Sequence, residues 1–232
     1  MLCRRRLALF GSTLPSTPLA ARAYRSSSLI PLAEEYLLKS RIVFLTGPIS
    51  DTKSSDVIDK LLFLEFQDNR KPIHLHIGSH GGSVSAVLSI YNTMKYIRSR
   101  VTTLCLGHAS SMASLLLAAG APGERRIFSN STVMIHQPYR HMAGPAVDIG
   151  VQHILKLREC LNQIYSHHTE QPIERIEQCT ERDMYMSADE AKEFGIVDEV
   201  IVPRRLAGSS NEGTKSCTDD GSAVKEQKLW FQ

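Results

Sequence analysis

The chain has 232 residues, a formal net charge of +3, 42% hydrophobic residues and 22% charged ones. That suits one domain with a real apolar core and a tail at each end. Part of the positive charge sits in the first 25 residues. The remainder is near neutral and gives no reason to expect a nucleic-acid partner. The five cysteines, at 3, 105, 160, 179 and 217, have no CxxC spacing. This argues against a disulfide framework or metal site and for a reducing compartment.

Arg4, Arg5, Arg6, Arg22 and Arg25 occur with Ser12, Ser16, Ser26, Ser27 and Ser28, and no acid precedes Glu34. An Arg- and Ser-rich, acid-free leader has the composition of an organellar transit peptide, here over residues 1–28. A plain basic tail is the competing reading. A secretory signal needs a longer apolar stretch than Leu7–Phe10, and no apolar run is long enough to cross a membrane.

Ile42–Leu45 reads as a short strand ended by Gly47-Pro48. Val57, Ile58, Leu61, Leu62, Leu64 and Phe66 come next, at helical spacing. Ile73–Ile77 alternates as a strand into Gly78-Ser79-His80-Gly81-Gly82, and Val84, Val87, Leu88, Tyr91 and Met94 mark a second helix. Val101–Leu106 predicts a third strand, Ser111–Ala119 a small buried helix and Ser131–Ile135 a fourth strand. After a polar stretch, Tyr139–Pro145, a long helix is expected from about Val147 to His168. Ser187-Ala188-Asp189-Glu190 is a capping box for a helix that stops at Gly195. Val200–Val202 is a last strand, and residues 203–232 read as a disordered polar tail. Strands alternating with helices imply βαβ units and a mainly parallel α/β sheet, which carries chemistry where strands turn into helices.

Two such junctions stand out. At Gly107-His108-Ala109-Ser110-Ser111-Met112-Ala113-Ser114 a strand gives way to a helix opened by serine. A serine there lies near backbone N–H donors that favour a developing oxyanion, although serine is also an ordinary helix cap. At the other junction, Gly81-Gly82 lets backbone amides approach a ligand, or simply makes a tight turn. His136 ends an apolar strand before Gln137-Pro138, so its imidazole sits at the strand's exit, where it could serve as a general base. With nine histidines in the chain, chance placement is the competing reading; His108, His141, His153, His167 and His168 read as surface or structural. A carboxylate would complete the set. By spacing, Asp183, Glu181, Asp189 and Asp198 are equal candidates.

Three segments together resemble the ClpP peptidase family over roughly residues 36 to 202. The serine segment is similar to the family's G-Q-A-A-S-M-G. Met134-Ile135-His136-Gln137-Pro138 matches its histidine motif, and Thr180-Glu181-Arg182-Asp183 its acid motif. The resemblance implies a crotonase-like (ClpP-type) α/β fold, a βαβ superhelix with a protruding helix-strand handle, over residues 29–202. It implies Ser111 as nucleophile, His136 as general base and Asp183 as orienting carboxylate, with the amides of Gly82 and Met112 as oxyanion hole. No metal or cofactor is implied. The expected protein is a serine endopeptidase of the mitochondrial matrix that cleaves unfolded polypeptides in quality control. Its expected partners are copies of itself in stacked heptameric rings and a AAA+ ATPase of the ClpX type.

The chain departs from the family in four places. Gly78-Ser79-His80-Gly81-Gly82 stands where N-S-P-G-G is usual, and loss of proline frees a φ angle. Ile30-Pro31-Leu32 runs almost directly into Glu34–Leu38, about a dozen residues short of the family's pore loop and first helix. The stretch Asp148–Ile154 is two residues short, which rotates the downstream residues by about 200° on a helix, and Gly150 weakens that turn by about 1 kcal/mol. Pro145 removes a ladder donor from the stretch that pairs strands across rings. These features weaken the expected ring-to-ring contact. They also motivate an alternative, a catalytically impaired structural or regulatory subunit of mixed rings. A third reading, an acyl-CoA-handling enzyme, rests on the range of chemistries such folds serve.

Overall fold

The computed structural model describes residues 32–138 and 147–202. The expected leader, the Tyr139–Pro145 stretch with Pro145, and the expected tail lie outside the described residues. In chain order the elements are α1 (Leu32–Lys39), β1 (Ile42–Thr46), α2 (Asp51–Gln67), β2 (Ile73–Ser79), α3 (Val84–Tyr96), β3 (Val101–Ser110) and α4 (Met112–Ala118). They continue with β4 (Arg125–Phe128), β5 (Thr132–Ile135), α5 (Val147–Thr169), α6 (Ile173–Thr180), β6 (Met184–Ser187), α7 (Ala188–Phe194) and β7 (Glu199–Ile201).

One sheet organises them. β1-β2-β3-β4-β7 run parallel, as the alternation of strands and helices requires. The far half of β3 leaves β4 and pairs with β5, and β6 closes antiparallel on β5. Period-2 alternation shows how the sheet is covered. Ile73, Leu75 and Ile77 are fully buried on one face of β2, while His74 and His76 between them are partly exposed. Against the buried faces lie Val57, Leu61 and Leu64 of α2, Val87, Ile90 and Met94 of α3, and every residue of α4. Phe66 departs from the predicted helix face and is exposed. The expected long helix runs through Gly150 without interruption, and the capping box forms at Ser187 with Glu190.

Several elements differ from the sequence expectation. β3 does not stop at Leu106 but continues to Ser110, bending at Gly107 (φ 104°) so that its end can reach β5. Ser111 consequently caps α4 instead of opening it. α1 forms at Leu32–Lys39, and β4 and β6 are additional strands. Charge hides β4 in the sequence, because Arg125 and Arg126 occupy half its positions, yet Arg125 is only 9% exposed.

Arg125 is buried because its partners are built in. Its Nε and Nη2 reach the two carboxylate oxygens of Asp198 at 3.0 and 2.6 Å. Nη1 donates to the carbonyls of Ala118 and His168, tying the C-terminal ends of α4 and α5 together. Burial opposes ionisation of Asp198, but hydrogen bonds from Arg125 prevail and hold its carboxyl below the usual range. Replacing one partner leaves the other charge partly buried and unpaired, so Asp198→Asn should lose about 2–3 kcal/mol of unfolding free energy in urea titrations. A loss under about 0.5 kcal/mol would show that the pair is solvated like a surface bridge.

His168 supplies a pH dependence. Burial, then the charges of Lys95, His167 and Arg125, lower its pKa from 6.5 to about 4. Between those values the unfolded chain takes up a proton that the folded one refuses. This contribution to stability is therefore present above pH 6.5 and fades as pH falls toward 4. His168→Gln should flatten the acid side of a Tm-against-pH curve in that window; an unchanged slope would show that another group sets it.

Candidate active site

Ser111 sits between β3 and α4 with φ 56° and ψ −128°, a left-handed region that non-glycine residues seldom occupy. Such a conformation costs on the order of 1–3 kcal/mol and persists only where the surroundings over-determine it. They do so here. The Ser111 amide donates to the Met134 carbonyl at 2.8 Å, and the Ser111 carbonyl accepts from the Ser114 amide at 3.0 Å. The Ser114 hydroxyl also donates to that carbonyl and lies 2.8 Å from Oη of Tyr165, which is itself 3.3 Å from the same carbonyl. Tyr165 reaches in from α5, and burial pushes its phenol pKa well up, so it stays a neutral donor.

The neighbours of β5 explain how the imidazole and carboxylate meet. β3 and β5 pair Ser110 with Met134, which leaves His136 just beyond the strand, near Ser111. On its other edge, the antiparallel register pairs Ile135 with Met184. The next positions along that ladder are His136 and Asp183. His136 Nε2 lies 2.7 Å from Ser111 Oγ, and its Nδ1 lies 3.2 Å from Asp183 Oδ1. An Nδ1–H donating to the carboxylate leaves Nε2 as the acceptor facing the serine hydroxyl. The His136 side chain is 13% exposed and that of Asp183 57% exposed.

The other candidate acids are placed elsewhere. Asp198 is held by Arg125, Asp189 is exposed in the first turn of α7, and Glu181 caps the end of α6, two residues before the ladder position opposite His136. The deciding signal, the register between β5 and β6, was invisible because β6 is only four residues and merges into the α7 cap.

Gly81 and Gly82 are required by close approach. A Cβ on Gly81 would come within 2.9 Å of Ser111 Cβ, and one on Gly82 within 2.2 Å of the Ile49 carbonyl oxygen. Gly82 forms a parallel bridge with Ile49, in which Ile49 bonds the Gly81 carbonyl and the Ser83 amide. In that pattern the Gly82 N–H points away from Ile49. Met112, the first residue of α4, has no intrahelical acceptor for its own N–H. Both residues line a cleft of about 410 Å³, with His80, Ser111, Met134 and His136 among its other walls. His108, expected on the surface or in a structural role, stacks on His80 with ring centroids 3.9 Å apart. No residue pattern pointed to Tyr165, whose contact spans 51 positions in sequence.

A hydroxyl, an imidazole and a carboxylate in series are the arrangement of serine-type hydrolases. A sequence model of the Clp protease family matches residues 29–204, most of the chain, and the chain belongs to that family. The family is one of serine-type peptidases, and the architecture is that of a ClpP-type α/β fold. The strand of its expected handle falls outside the described residues. Among the described residues no group of three or more His, Cys, Asp or Glu side chains could hold a metal ion, and no helix is long and apolar enough to cross a membrane. Cys105, Cys160 and Cys179 are free, and burial pushes the Cys105 thiol up to about 12.

Tyr165→Phe removes one hydroxyl while Ser114 keeps a carbonyl to donate to. The rate at which Ser111 reacts with a fluorophosphonate should fall about tenfold, the equivalent of one hydrogen bond, with Tm shifted by only a few degrees. An unchanged rate would reduce Tyr165 to a packing residue.

Proposed function

We propose that the chain is an active serine endopeptidase, the proteolytic subunit of an ATP-dependent Clp-type protease that cleaves unfolded polypeptides in the mitochondrial matrix. The observation that carries this is the continuous chain from Ser111 Oγ through His136 to Asp183, at 2.7 and 3.2 Å. In the proposed reaction His136 Nε2 takes the serine proton as Oγ attacks the peptide carbonyl carbon. The amides of Gly82 and Met112 donate to the oxyanion. His136 then returns the proton to the departing amine, and water hydrolyses the acyl-enzyme by the same path. Side chains and backbone handle both proton and charge, so the chemistry needs no metal.

The cellular part of the reading rests on composition and family. The acid-free Arg- and Ser-rich leader supports a mitochondrial destination. Clp protease family members generally form rings and work with Clp ATPases, which supports self-assembly into heptameric rings and a ClpX-type partner. ATP would be spent by that partner. The structural-subunit alternative requires an unactivated serine, and the hydrogen-bonded imidazole speaks against it.

A short fluorogenic peptide tests the chemistry without any ATPase. Ser111→Ala should lower hydrolysis at least about a thousandfold, leaving what the oxyanion hole alone provides. Asp183→Asn should lower kcat by about 10²–10⁴, with less change in KM. Hydrolysis that survives Ser111→Ala would refute the assignment. Sedimentation of the purified mature chain tests the assembly, and a monomer at micromolar concentration would contradict the ring.

A further inference from the structure

We infer that His80 and His108 are positioning residues, a stacked clamp that holds the Gly81-Gly82 loop against the serine junction and so sets the oxyanion-hole amide of Gly82. The inference rests on the peptidase reading and deepens it.

The geometry begins with an irregularity in the sheet. β2 and β3 pair regularly from Ile73 opposite Val101 to Ile77 opposite Cys105, then the register shifts and Ser79 faces Ala109. The shift sets Leu106–His108 of β3 against the single Gly78 of β2, two surplus residues, so the ladder is irregular just before both junctions of the site. On one side the glycine loop is well held. Ser79 Oγ donates to the Gly47 carbonyl, the Gly81 amide donates to Ser79 Oγ at 3.0 Å, and Ile49 bonds the loop twice. The bonds to Gly47 and Ile49 tie it to the segment after β1, and the Gly81–Ser79 bond tightens the loop on itself. Toward β3 the loop is held by the Ser79–Ala109 ladder pair and the close approach of Gly81 to Ser110 and Ser111, and its side-chain contact there is the His80 ring on the His108 ring, with centroids 3.9 Å apart and planes 24° from parallel.

That position matters because the oxyanion hole draws one donor from each junction. Gly82 belongs to the loop that carries His80, and Met112 comes after the strand that carries His108. The relative placement of the two amides therefore depends on a link between the junctions. A rigid residue at position 80 could restrict the loop from within by fixing its own φ. Histidine has no such restriction and restricts the loop from outside, by stacking. His108 Nε2 is buried without a hydrogen-bond partner, so it is the ring face that holds the pair. Burial, and secondarily His80, lower the His108 pKa.

The test is peptide kinetics and fluorophosphonate labelling of the full mature chain. His80→Ala and His108→Ala should each lower kcat about five- to tenfold, as expected of one lost side-chain contact, with KM within about twofold. The double variant should be no worse than either single one. His108→Phe, which keeps a ring but cannot titrate, should recover most of the activity lost in His108→Ala. Losses that multiply in the double variant, or Phe behaving like Ala, would overturn the clamp while leaving the peptidase reading intact. Wild-type protein that neither labels nor cleaves would overturn the peptidase reading, and the clamp with it. Tm measurements on each variant separate loss of the clamp from loss of the fold.

Discussion

Strand β5 is four residues long, and the whole site depends on its two edges. Its parallel edge meets the end of β3 and fixes the Ser111 amide to the Met134 carbonyl. Its antiparallel edge meets β6 and sets His136 opposite Asp183. Side-chain period in a sheet is two, so a one-residue slip on either edge would turn the imidazole or the carboxylate to the wrong face. Ladder hydrogen bonds thus perform the alignment that long side chains could not achieve unaided. The buried Val133 and Ile135, together with Met186 opposite, make that register costly to change.

The serine itself is held under strain, and the restraints come from distant parts of the chain. Ser114 acts from within the same helix, Tyr165 from α5, and Arg125 from beneath, where it joins the ends of α4 and α5. None of these groups faces the cleft. Their common effect is that α4 cannot relax toward an ordinary helical start, where Ser111 would leave its left-handed conformation.

Much of this was legible in the residues. A short apolar run before Gly47-Pro48 located β1, alternation located β2, helical spacing located α2, α3 and α5, and the Ser187–Glu190 pair marked α7. Motifs singled out Ser111 and His136 because glycine and proline punctuate the chain next to them. The features that stayed hidden each have a physical reason. β4 presents arginines where a strand normally shows apolar residues, and its burial depends on Asp198, distant in sequence. β6 is too short to show a period. The choice among four carboxylates required a pairing register, and the His80–His108 contact required knowing that the β2–β3 ladder shifts. Local pattern reports local structure, while these features arise from segments that meet only on folding.

The antiparallel pairing of β5 with β6 also bears on how the chain tolerates changes in length. Between Gln137 and Arg182 the backbone travels out along α5 and back through α6, then returns to within one ladder step of where it left. Closing a somewhat shorter or longer excursion changes its entropy only slightly. Insertions and deletions in that excursion therefore need not disturb the meeting of His136 and Asp183, because the two are located by the strands at its ends. Evolution can remodel the outlying helix as a trait separable from the alignment of the reactive groups.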